Sequence, residues 1–582
     1  MDIFNVLELI CGLALFLYGM DVMGESLKKS AGSSLKTILG KMTSNPLKGF
    51  LLGLGVTAII QSSSATTVMV VGFVNSGTMT LLQSVGVIMG ANVGTAVTSW
   101  LTGLSGVGDA LRWLKPDSWM PILAVIGVAL TMFAKRGKKK DIGYILLGFA
   151  VLMVGMDIMS GAVSGLKDDP AFSEILLKFK NPVLGVLAGL VLTVIVQSSS
   201  ASIGILQSLT ATGAITFGAA IPIIMGQNIG TCVTAVLSSL SANKNGKRAA
   251  LIHLYFNVIG MAVWLTVYSI VEALVPFVQE FAAGTVNMWG IAAIHTIFKI
   301  LSVVLIAPFY KLLEKLARLT IRDSAEEEED KSTPLDERLI ITPAIAVERA
   351  TEVTGSMATV SCKAMRNALS VFGKYDQKLA DKVRKQENKA DNYEDSLGSY
   401  LIKIAENEVD EQDSKQVTKL LHIIGDFERI SDHAVNIVES AEEIDEKKMV
   451  FSEEAQKELS VLCSAVLEIL NMTEEAFLKN DIEKARSVEP LEQVIDGLKS
   501  KIKRNHIRRL QNNECTIENG FILADILNNL ERVSDHCSNI AECVIEISER
   551  ELLDSHKYMR EIKSEDSEFE EKYKEYKGKY SI

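Results

Sequence analysis

The sequence predicts an all-α protein in two parts, a polytopic membrane half followed by a helical domain in water. Apolar segments long enough to cross a bilayer fill the first 310 of the 582 residues, whereas charged residues recur at helical spacing in the remainder. The first part contains 19 Lys and Arg against 13 Asp and Glu, a net charge of +6, and the rest contains 40 against 58, a net charge of −18. This acidic second part argues against nucleic acid as a partner.

Seven apolar segments are suited to span the membrane, and two more are interrupted at their centres by polar clusters. The seven are 3–24, 85–104, 119–134, 141–163, 219–241, 249–275 and 288–310. The interrupted stretches are 46–78 and 182–214. Because polar groups are costly against lipid, each interrupted stretch is predicted to enter and leave on one side of the membrane, as a re-entrant helical hairpin.

An internal repeat divides the membrane half. Residues 45–98 and 181–234 align without a gap at an offset of 136, with 23 identities in 54 positions. Each copy contributes three full crossings, and this odd number turns the second copy upside down relative to the first. We therefore predict two inverted repeats, the first over 1–135 and the second, with closing helices, over 136–312.

Charge supports the inverted arrangement independently. Lys-rich segments lie around Lys41, Lys138 and Lys247, whereas acidic residues lie around Asp168. If the Lys-rich segments are cytoplasmic, the first hairpin enters from the cytoplasm and the second from outside. The C-terminal half then lies in the cytoplasm.

Each interrupted stretch contains the motif Gln-Ser-Ser-Ser, at 61–64 and at 197–200. At a hairpin tip, the second half-helix offers unpaired backbone N–H groups and the positive end of its dipole, and the hydroxyl groups add donors. An oxyanion is thereby held without Lys or Arg, and neither occurs between Phe50 and Leu111. Freed carbonyl and hydroxyl oxygens suit a small hard cation. Close packing of Ser-rich helices is the alternative for a single motif, but two matched copies favour a site.

A second matched motif is Gly-Ala-Asn-Val-Gly-Thr at 90–95 and Gly-Gln-Asn-Ile-Gly-Thr at 226–231. Its glycines allow an unwound helix. The oxygens of Asn92, Thr95, Asn228 and Thr231 are therefore candidate ligands, and tight helix packing is the open alternative.

The duplicated hairpins resemble those of the type II sodium/phosphate cotransporters, and the resemblance covers about 1–310. It implies a multi-pass plasma-membrane symporter that moves inorganic phosphate with sodium as the coupling ion. Phosphate and ion contacts then fall on Gln61, Ser62, Ser63, Ser64, Thr66, Gln197, Ser198, Ser199, Ser200 and Ser202. Two alternatives stay open within transport, a phosphate exporter and a carrier of another oxyanion.

The C-terminal half begins with an acidic linker at 313–340, continues as a helical domain at 341–560 and ends in a charged tail at 561–582. The domain has its own repeat at an offset of 103, with four Glu-x-x-x-Asp pairs. This spacing puts both carboxylates on one helix face. Facing pairs need a cation, while a solvated acidic stripe is the alternative. The eight residues are Glu387, Asp391, Glu428, Asp432, Glu492, Asp496, Glu531 and Asp535.

This domain looks like PhoU, a pair of three-helix bundles associated with phosphate regulation, and its acidic pairs match the PhoU metal-binding pattern. The resemblance implies a divalent or trivalent metal and a cytoplasmic phosphate-signalling partner. Homo-oligomerisation stays open. We find no P-loop, GxSxG motif or nucleophile with a paired base, so we expect no enzymatic activity. A membrane-anchored phosphate-signalling regulator is the alternative from another class.

Overall fold

The computed structural model describes residues 3–39, 45–106, 116–134, 137–168, 179, 181–322, 335–372, 375–407, 411–548 and 567–582. The chain divides into two compact units, Met1–Ile345 and Ala346–Ile582. Within the described ranges the regular elements are helices, and the β-structure is one isolated bridge between Thr216 and Thr285. The predicted all-α class is confirmed.

The first unit contains fifteen α-helices in its described residues. They are α1 Ile3–Leu39, α2 Pro46–Ile60, α3 Ser63–Asn75, α4 Leu81–Gly94, α5 Ala96–Gly103, α6 Pro116–Phe133, α7 Lys138–Ser164, α8 Pro182–Val196, α9 Ser199–Leu209, α10 Phe217–Gly230, α11 Cys232–Ser239, α12 Lys244–Leu274, α13 Pro276–Ala283, α14 Met288–Ile306 and α15 Tyr310–Thr320.

Six helical stretches in the described residues are long and apolar enough to cross a membrane. They are Ile3–Ser30, Leu81–Gly106, Lys138–Ser164, Phe217–Ser239, Lys244–Leu274 and Met288–Thr320. A multi-pass membrane protein is thus confirmed. The remaining predicted span, 119–134, corresponds to α6, whose apolar part Trp119–Phe133 is shorter than the six stretches above. The odd number of crossings per repeat stays a prediction.

Helices α1 and α7, which begin the two repeats, pack closely through matched glycines. A Cβ added at Gly12 would meet the Gly155 carbonyl oxygen at 2.9 Å, and one at Gly19 would meet the Gly148 carbonyl oxygen at 2.6 Å. Since Gly148 and Gly155 are the counterparts of Gly12 and Gly19, the contacts are exchanged between repeats. Such an exchange requires antiparallel helices, the arrangement that inverted repeats predict.

The first helix of each interrupted stretch packs on the helix that carries the second matched motif, 90–95 or 226–231, in the same way in both repeats. A Cβ at Gly53 would lie 2.0 Å from the Val87 carbonyl oxygen, and one at Gly189 would lie 2.0 Å from the Ile223 carbonyl oxygen. Real side chains do not approach a backbone so closely. These glycines therefore fix the position of α2 on α4 and of α8 on α10.

Both ends of the predicted linker belong to the first unit. Helix α15 covers 310–320, and the segment 336–342 packs against α3. The Asn75 amide donates to the Asp336 carboxylate at 2.6 Å, and Leu339 is fully buried beside Gly72. The linker centre at 323–334 lies outside the described residues, as do Lys41, the segment 169–178 and the end of the predicted helical domain at 549–560.

The second unit contains two three-helix groups. Its helices are α16 Pro343–Val371, which begins in the first unit, α17 Gln377–Ala405, α18 Glu411–Glu446, α19 Glu453–Lys479, the short α20 Ile482–Arg486, α21 Val488–Gln511, α22 Ile517–Ser548 and α23 Ser567–Lys579. Helices α16 to α18 form the first group and α19, α21 and α22 form the second. The tail helix α23 is tied to α19 by Lys579, whose ammonium lies 2.8 Å from Glu468.

The two groups meet where α18 crosses α22, through residues matched at the offset of 103. The His536 ring bonds the Asp426 carboxylate at 2.8 Å, and the His433 ring bonds the Asn529 amide oxygen at the same distance. The two imidazole rings stack with their centroids 5.6 Å apart. The repeat in sequence is therefore a pseudo-twofold repeat in structure.

Candidate functional site

Both Gln-Ser-Ser-Ser motifs interrupt a helix at the same two residues. Gln61 and Gln197 have φ of 59° and 57°, the left-handed region that ends a helix and that glycine usually occupies. Ser62 and Ser198 are extended, and their hydroxyl oxygens accept from the backbone N–H of Ala65 and Ala201. Each first serine is thus the N-cap of the following helix.

The second and third serines of each motif form the first turn of that helix. Their backbone N–H groups have no partner within the helix, and the helix dipole adds positive potential there. The N-cap serine accepts through its oxygen, so its hydroxyl hydrogen stays available to a ligand. Each tip therefore presents several hydrogen-bond donors to an approaching group, the chemistry that an oxyanion needs.

The two tips line a single cavity of about 510 Å³. All eight residues of the two motifs, Gln61, Ser62, Ser63, Ser64, Gln197, Ser198, Ser199 and Ser200, face it. These residues come from segments 136 positions apart. Their convergence agrees with the predicted site, and their role as ligands stays a prediction.

Sequence reasoning missed the third wall of this cavity. Helix α1 contributes Asp21, Glu25 and Lys28, and the Lys28 ammonium pairs with Glu25 at 2.6 Å. The spacing of these three residues puts them on one face of a helix, which was the available signal. Because Lys28 compensates Glu25, this wall carries a net charge of −1. That charge raises the cost of binding an anion alone and favours a cation in the same cavity.

Thr66 and Ser202, one turn into the second helix, are buried and do not line the cavity. Thr66 donates to the Ser62 carbonyl and accepts from Thr57, each at 3.0 Å. In the second repeat the counterparts differ. The hydroxyl oxygens of Ser202 and Thr193 and the amide oxygen of Gln227 have no hydrogen-bond partner among the described residues, although all three side chains are buried. Unsatisfied buried oxygens are rare in native proteins, and a bound water molecule or ion is one way to satisfy them.

The four residues of the second motif are also buried and lie outside the cavity. The amides of Asn92 and Asn228 donate to carbonyls one turn back in their own helices, at 3.0 and 2.8 Å. Helical structure is interrupted at Thr95 and at Thr231. Thr95 and Thr231 keep right-handed helical dihedrals, with φ of −62° and −64°, so the backbone is irregular there without being unwound. Ligand contact by these residues stays a prediction.

A hydrogen bond joins α5, the helix that follows the second motif, to the first tip. The Thr98 hydroxyl on α5 donates to the Gln61 side-chain oxygen at 2.8 Å. The matched Thr234 donates instead to the Thr231 carbonyl of its own helix. The two halves of the site are therefore similar in outline and different in their supports.

The second unit brings acidic pairs of α17 and α18 together, as the spacing predicts. Burial, followed by the hydrogen bond and the charge of Asp432, raises the pKa of Glu428 to about 7. The pKa of Glu387 is raised by burial, then by Asp432 across the helix pair and by Asp391. Carboxylates that share a small space hold a proton or need a cation.

The second group of acidic residues is similar but carries a cation of its own. Burial and Glu531 raise the pKa of Asp496, and burial, Glu531 and Asp496 raise that of Asp535. The Lys499 ammonium lies 3.0 Å from Glu531. In the part of the chain that the structure describes, no group of three or more His, Cys, Asp or Glu residues is placed to hold a metal ion. Metal binding by the eight acidic residues stays a prediction.

Comparison with known proteins matches both halves. The Na+/Pi-cotransporter family matches residues 15–161 and 168–289, and the PhoU domain matches 354–441 and 459–544. The protein of Salmonella typhimurium named as an inorganic phosphate export protein, YjbB, is 25% identical over 551 residues, 93% of this chain and 98% of its own. YqeW of Bacillus subtilis, described as uncharacterized, is 31% identical over 310 residues, 53% of this chain and 95% of its own.

More distant relatives match one half each. The sodium-dependent phosphate transport protein 2A of Rattus norvegicus is 23% identical over 378 residues, 43% of this chain and 59% of its own. The crystal structure of PhoU from Pseudomonas aeruginosa covers 35% of this chain and 97% of its own, with 22% identity and a TM-score of 0.33. With its duplicated tips and its acidic C-terminal bundles, the chain belongs to the Na+/Pi-cotransporter family and carries a PhoU domain.

Proposed function

We propose that the protein is a sodium-coupled transporter of inorganic phosphate whose PhoU domain lies in the cytoplasm and regulates transport. The observation that carries this proposal is the single cavity lined by both Gln-Ser-Ser-Ser tips. Two helix N-termini and six serine hydroxyls converge there, which supports binding of a small oxyanion without a basic residue from the tips. Inverted repeats give such a midplane site access from either side in turn.

Sodium coupling is supported by two features of the first unit. Asp21 and Glu25 line the anion cavity, and a cation bound with the anion offsets their repulsion. The buried oxygens of Thr193, Ser202 and Gln227 lack partners among the described residues, and neutral oxygens are ligands for hard cations. A coupling ion that binds only with phosphate present would link the two fluxes.

Purified full-length protein in proteoliposomes tests the proposal. We expect an inward sodium gradient to drive accumulation of labelled phosphate and a choline gradient of the same size to drive none. Sulfate as competitor distinguishes a phosphate site from a general oxyanion site. Phosphate uptake that is independent of the sodium gradient would contradict sodium coupling. Competition by sulfate as strong as that by unlabelled phosphate would contradict specificity for phosphate.

Export is the second candidate function, because a relative that aligns with 93% of this chain is named as a phosphate export protein. The cavity geometry is the same for both directions, so the gradients decide. Cells loaded with labelled phosphate, with and without the protein, measure efflux directly. Faster efflux at the physiological sodium gradient supports export, whereas faster uptake supports symport.

For the PhoU domain, we propose that metal compensates the crowded carboxylates and that the metal-bound domain signals phosphate status. The raised pKa values of Glu428 and Glu387 support a deficit of positive charge there. Ligands that bind only the folded state raise its melting temperature. We expect Mn²⁺ or Fe³⁺ to raise the melting temperature of the fragment 340–582 and chelator to reverse it. Asp432→Asn with Asp535→Asn should remove the shift; a parent fragment indifferent to metal contradicts the proposal.

A further inference from the structure

Lys299 is a basic residue inside a helix that is long and apolar enough to span the membrane. It lies in α14, and only 3% of its surface is exposed, so its side chain points into the protein rather than toward lipid. Among the described residues no carboxylate lies within the 4.0 Å of an ion pair with its ammonium. A buried charge without a counter-ion is costly, and ionisable residues at membrane depth are by default functional.

Its ammonium is held by the interrupted helix of the first repeat. Lys299 Nζ donates to the Asn92 carbonyl oxygen at 2.7 Å. Asn92 lies in the last turn of α4, just before the interruption at Thr95. Carbonyl groups at the end of a helix lack some of their intrahelical donors, and neutral carbonyl oxygens are ligands for hard cations. The ammonium therefore occupies a carbonyl of the kind that a sodium ion would use.

At the second copy of the motif, 226–231, no Lys or Arg among the described residues bonds the matched carbonyl. That carbonyl, of Asn228, accepts from the Thr231 hydroxyl of the same helix at 2.6 Å. The preceding residue is Gln227, whose buried side-chain oxygen has no hydrogen-bond partner among the described residues. The first repeat has Ala91 at this position. The first copy of the motif thus bonds a buried ammonium, whereas unsatisfied oxygens lie at and near the second copy.

Helix α14 also supports the anion site through α5. The His295 ring bonds the Ser99 hydroxyl at 2.7 Å, and the Trp100 indole donates to Thr296 at 2.9 Å. One turn of the same helix carries Thr98, the partner of Gln61 at the first tip. The fixed charge and the first Gln-Ser-Ser-Ser tip are therefore connected to one interrupted helix.

We propose that the Lys299 ammonium is a resident cation at the Asn92 carbonyl that replaces one coupling sodium ion and so sets the number of sodium ions carried per phosphate. This inference rests on the proposed sodium-coupled transport. The ammonium supplies positive charge without crossing the membrane. Removing it leaves the Asn92 carbonyl open to a sodium ion, which then travels with phosphate.

The test is the ratio of sodium-22 to phosphorus-32 carried by full-length protein in proteoliposomes. In Lys299→Gln, which removes the charge and places an amide oxygen near the Asn92 carbonyl as a further possible sodium ligand, we expect the ratio to rise by one ion per phosphate. Phosphate uptake at low sodium should fall at least tenfold and recover at high sodium. Lys299→Arg keeps the charge and should keep the ratio of the parent.

Thr296→Val is the matched structural control, because it removes a contact between α14 and α5 without changing charge. It should lower the melting temperature and leave the ratio alone. A parental ratio in Lys299→Gln overturns the proposal. If Lys299→Gln does not fold in a choline buffer, we expect a sodium buffer to restore its folding. If Lys299→Gln folds in neither buffer while Lys299→Arg folds, the proposal is overturned. A parent that carries phosphate without sodium-22 instead refutes sodium coupling itself, a result visible without any variant.

Discussion

Ser63→Ala and Ser199→Ala test the anion site most directly, because each removes a hydroxyl and nothing else. Both serines line the cavity and are more than nine-tenths buried, and their hydroxyl hydrogens form no bond to the described residues. A hydrogen bond to a charged group contributes about 1.5–3 kcal/mol. Since 1.4 kcal/mol corresponds to a factor of ten, we expect phosphate affinity to fall between about tenfold and about 150-fold in each variant.

The stability of the protein should change little, which separates this prediction from a folding defect. Ser62 and Ser198 cap the helices, so their loss would also cost about 0.5–2 kcal/mol of stability. Ser63 and Ser199 carry no such role. Ser208→Ala, which removes a buried hydroxyl from α9 that bonds the Ile205 carbonyl, is the matched control.

The assay is labelled phosphate uptake into proteoliposomes over a range of phosphate concentrations, with reconstituted protein quantified for each variant. The reasoning predicts a raised half-saturating concentration for both tip variants and a value within about twofold of the parent for Ser208→Ala, since its hydroxyl serves only its own helix. If both tip variants stay within twofold of the parent, the serines are packing residues and the phosphate site lies elsewhere.

Three further predictions address packing, pH and topology. Gly189→Ala should abolish folded protein in detergent, because its Cβ would lie 2.0 Å from the Ile223 carbonyl oxygen. Gly55→Ala, whose Cβ would have no atom within 4 Å, should keep the parental melting temperature or raise it. Equal yields of folded protein from the two variants would refute the close contact at Gly189. Because the pKa of Glu428 is raised from 4.5 to about 7, the folded second unit keeps a proton that the unfolded chain has released between these pH values. The free energy of unfolding of the fragment 340–582 should therefore fall as the pH rises from about 4.5 to 7. Glu428→Gln should reduce this pH dependence. A cysteine near Asp168 should react with an impermeant thiol reagent in intact cells and one near Lys41 should not, and equal labelling would contradict the inverted topology.

The sequence predicted the parts of the fold that repeat or that follow from local patterns. Apolar length located six spanning helices, and the offset of 136 predicted that the two tips lie together, as they do around one cavity. The interruption at Gln61 and Gln197 was predictable to the residue, because Ser62 and Ser198 are N-cap residues placed inside an apolar run. The same logic located the facing acidic pairs of α17 and α18.

Local patterns failed where function depends on contacts between distant segments. Lys299 and Asn92 are 207 residues apart, and Asp336 and Asn75 are 261 apart. Periodicity assigns a residue to a face of its own helix but does not say which helix covers that face. The duplication cannot help either, because Lys299 has Val163 at the matched offset and Asp336 lies beyond both copies. The residues that distinguish the two halves of the candidate site therefore cannot be predicted from the similarity between the two repeats.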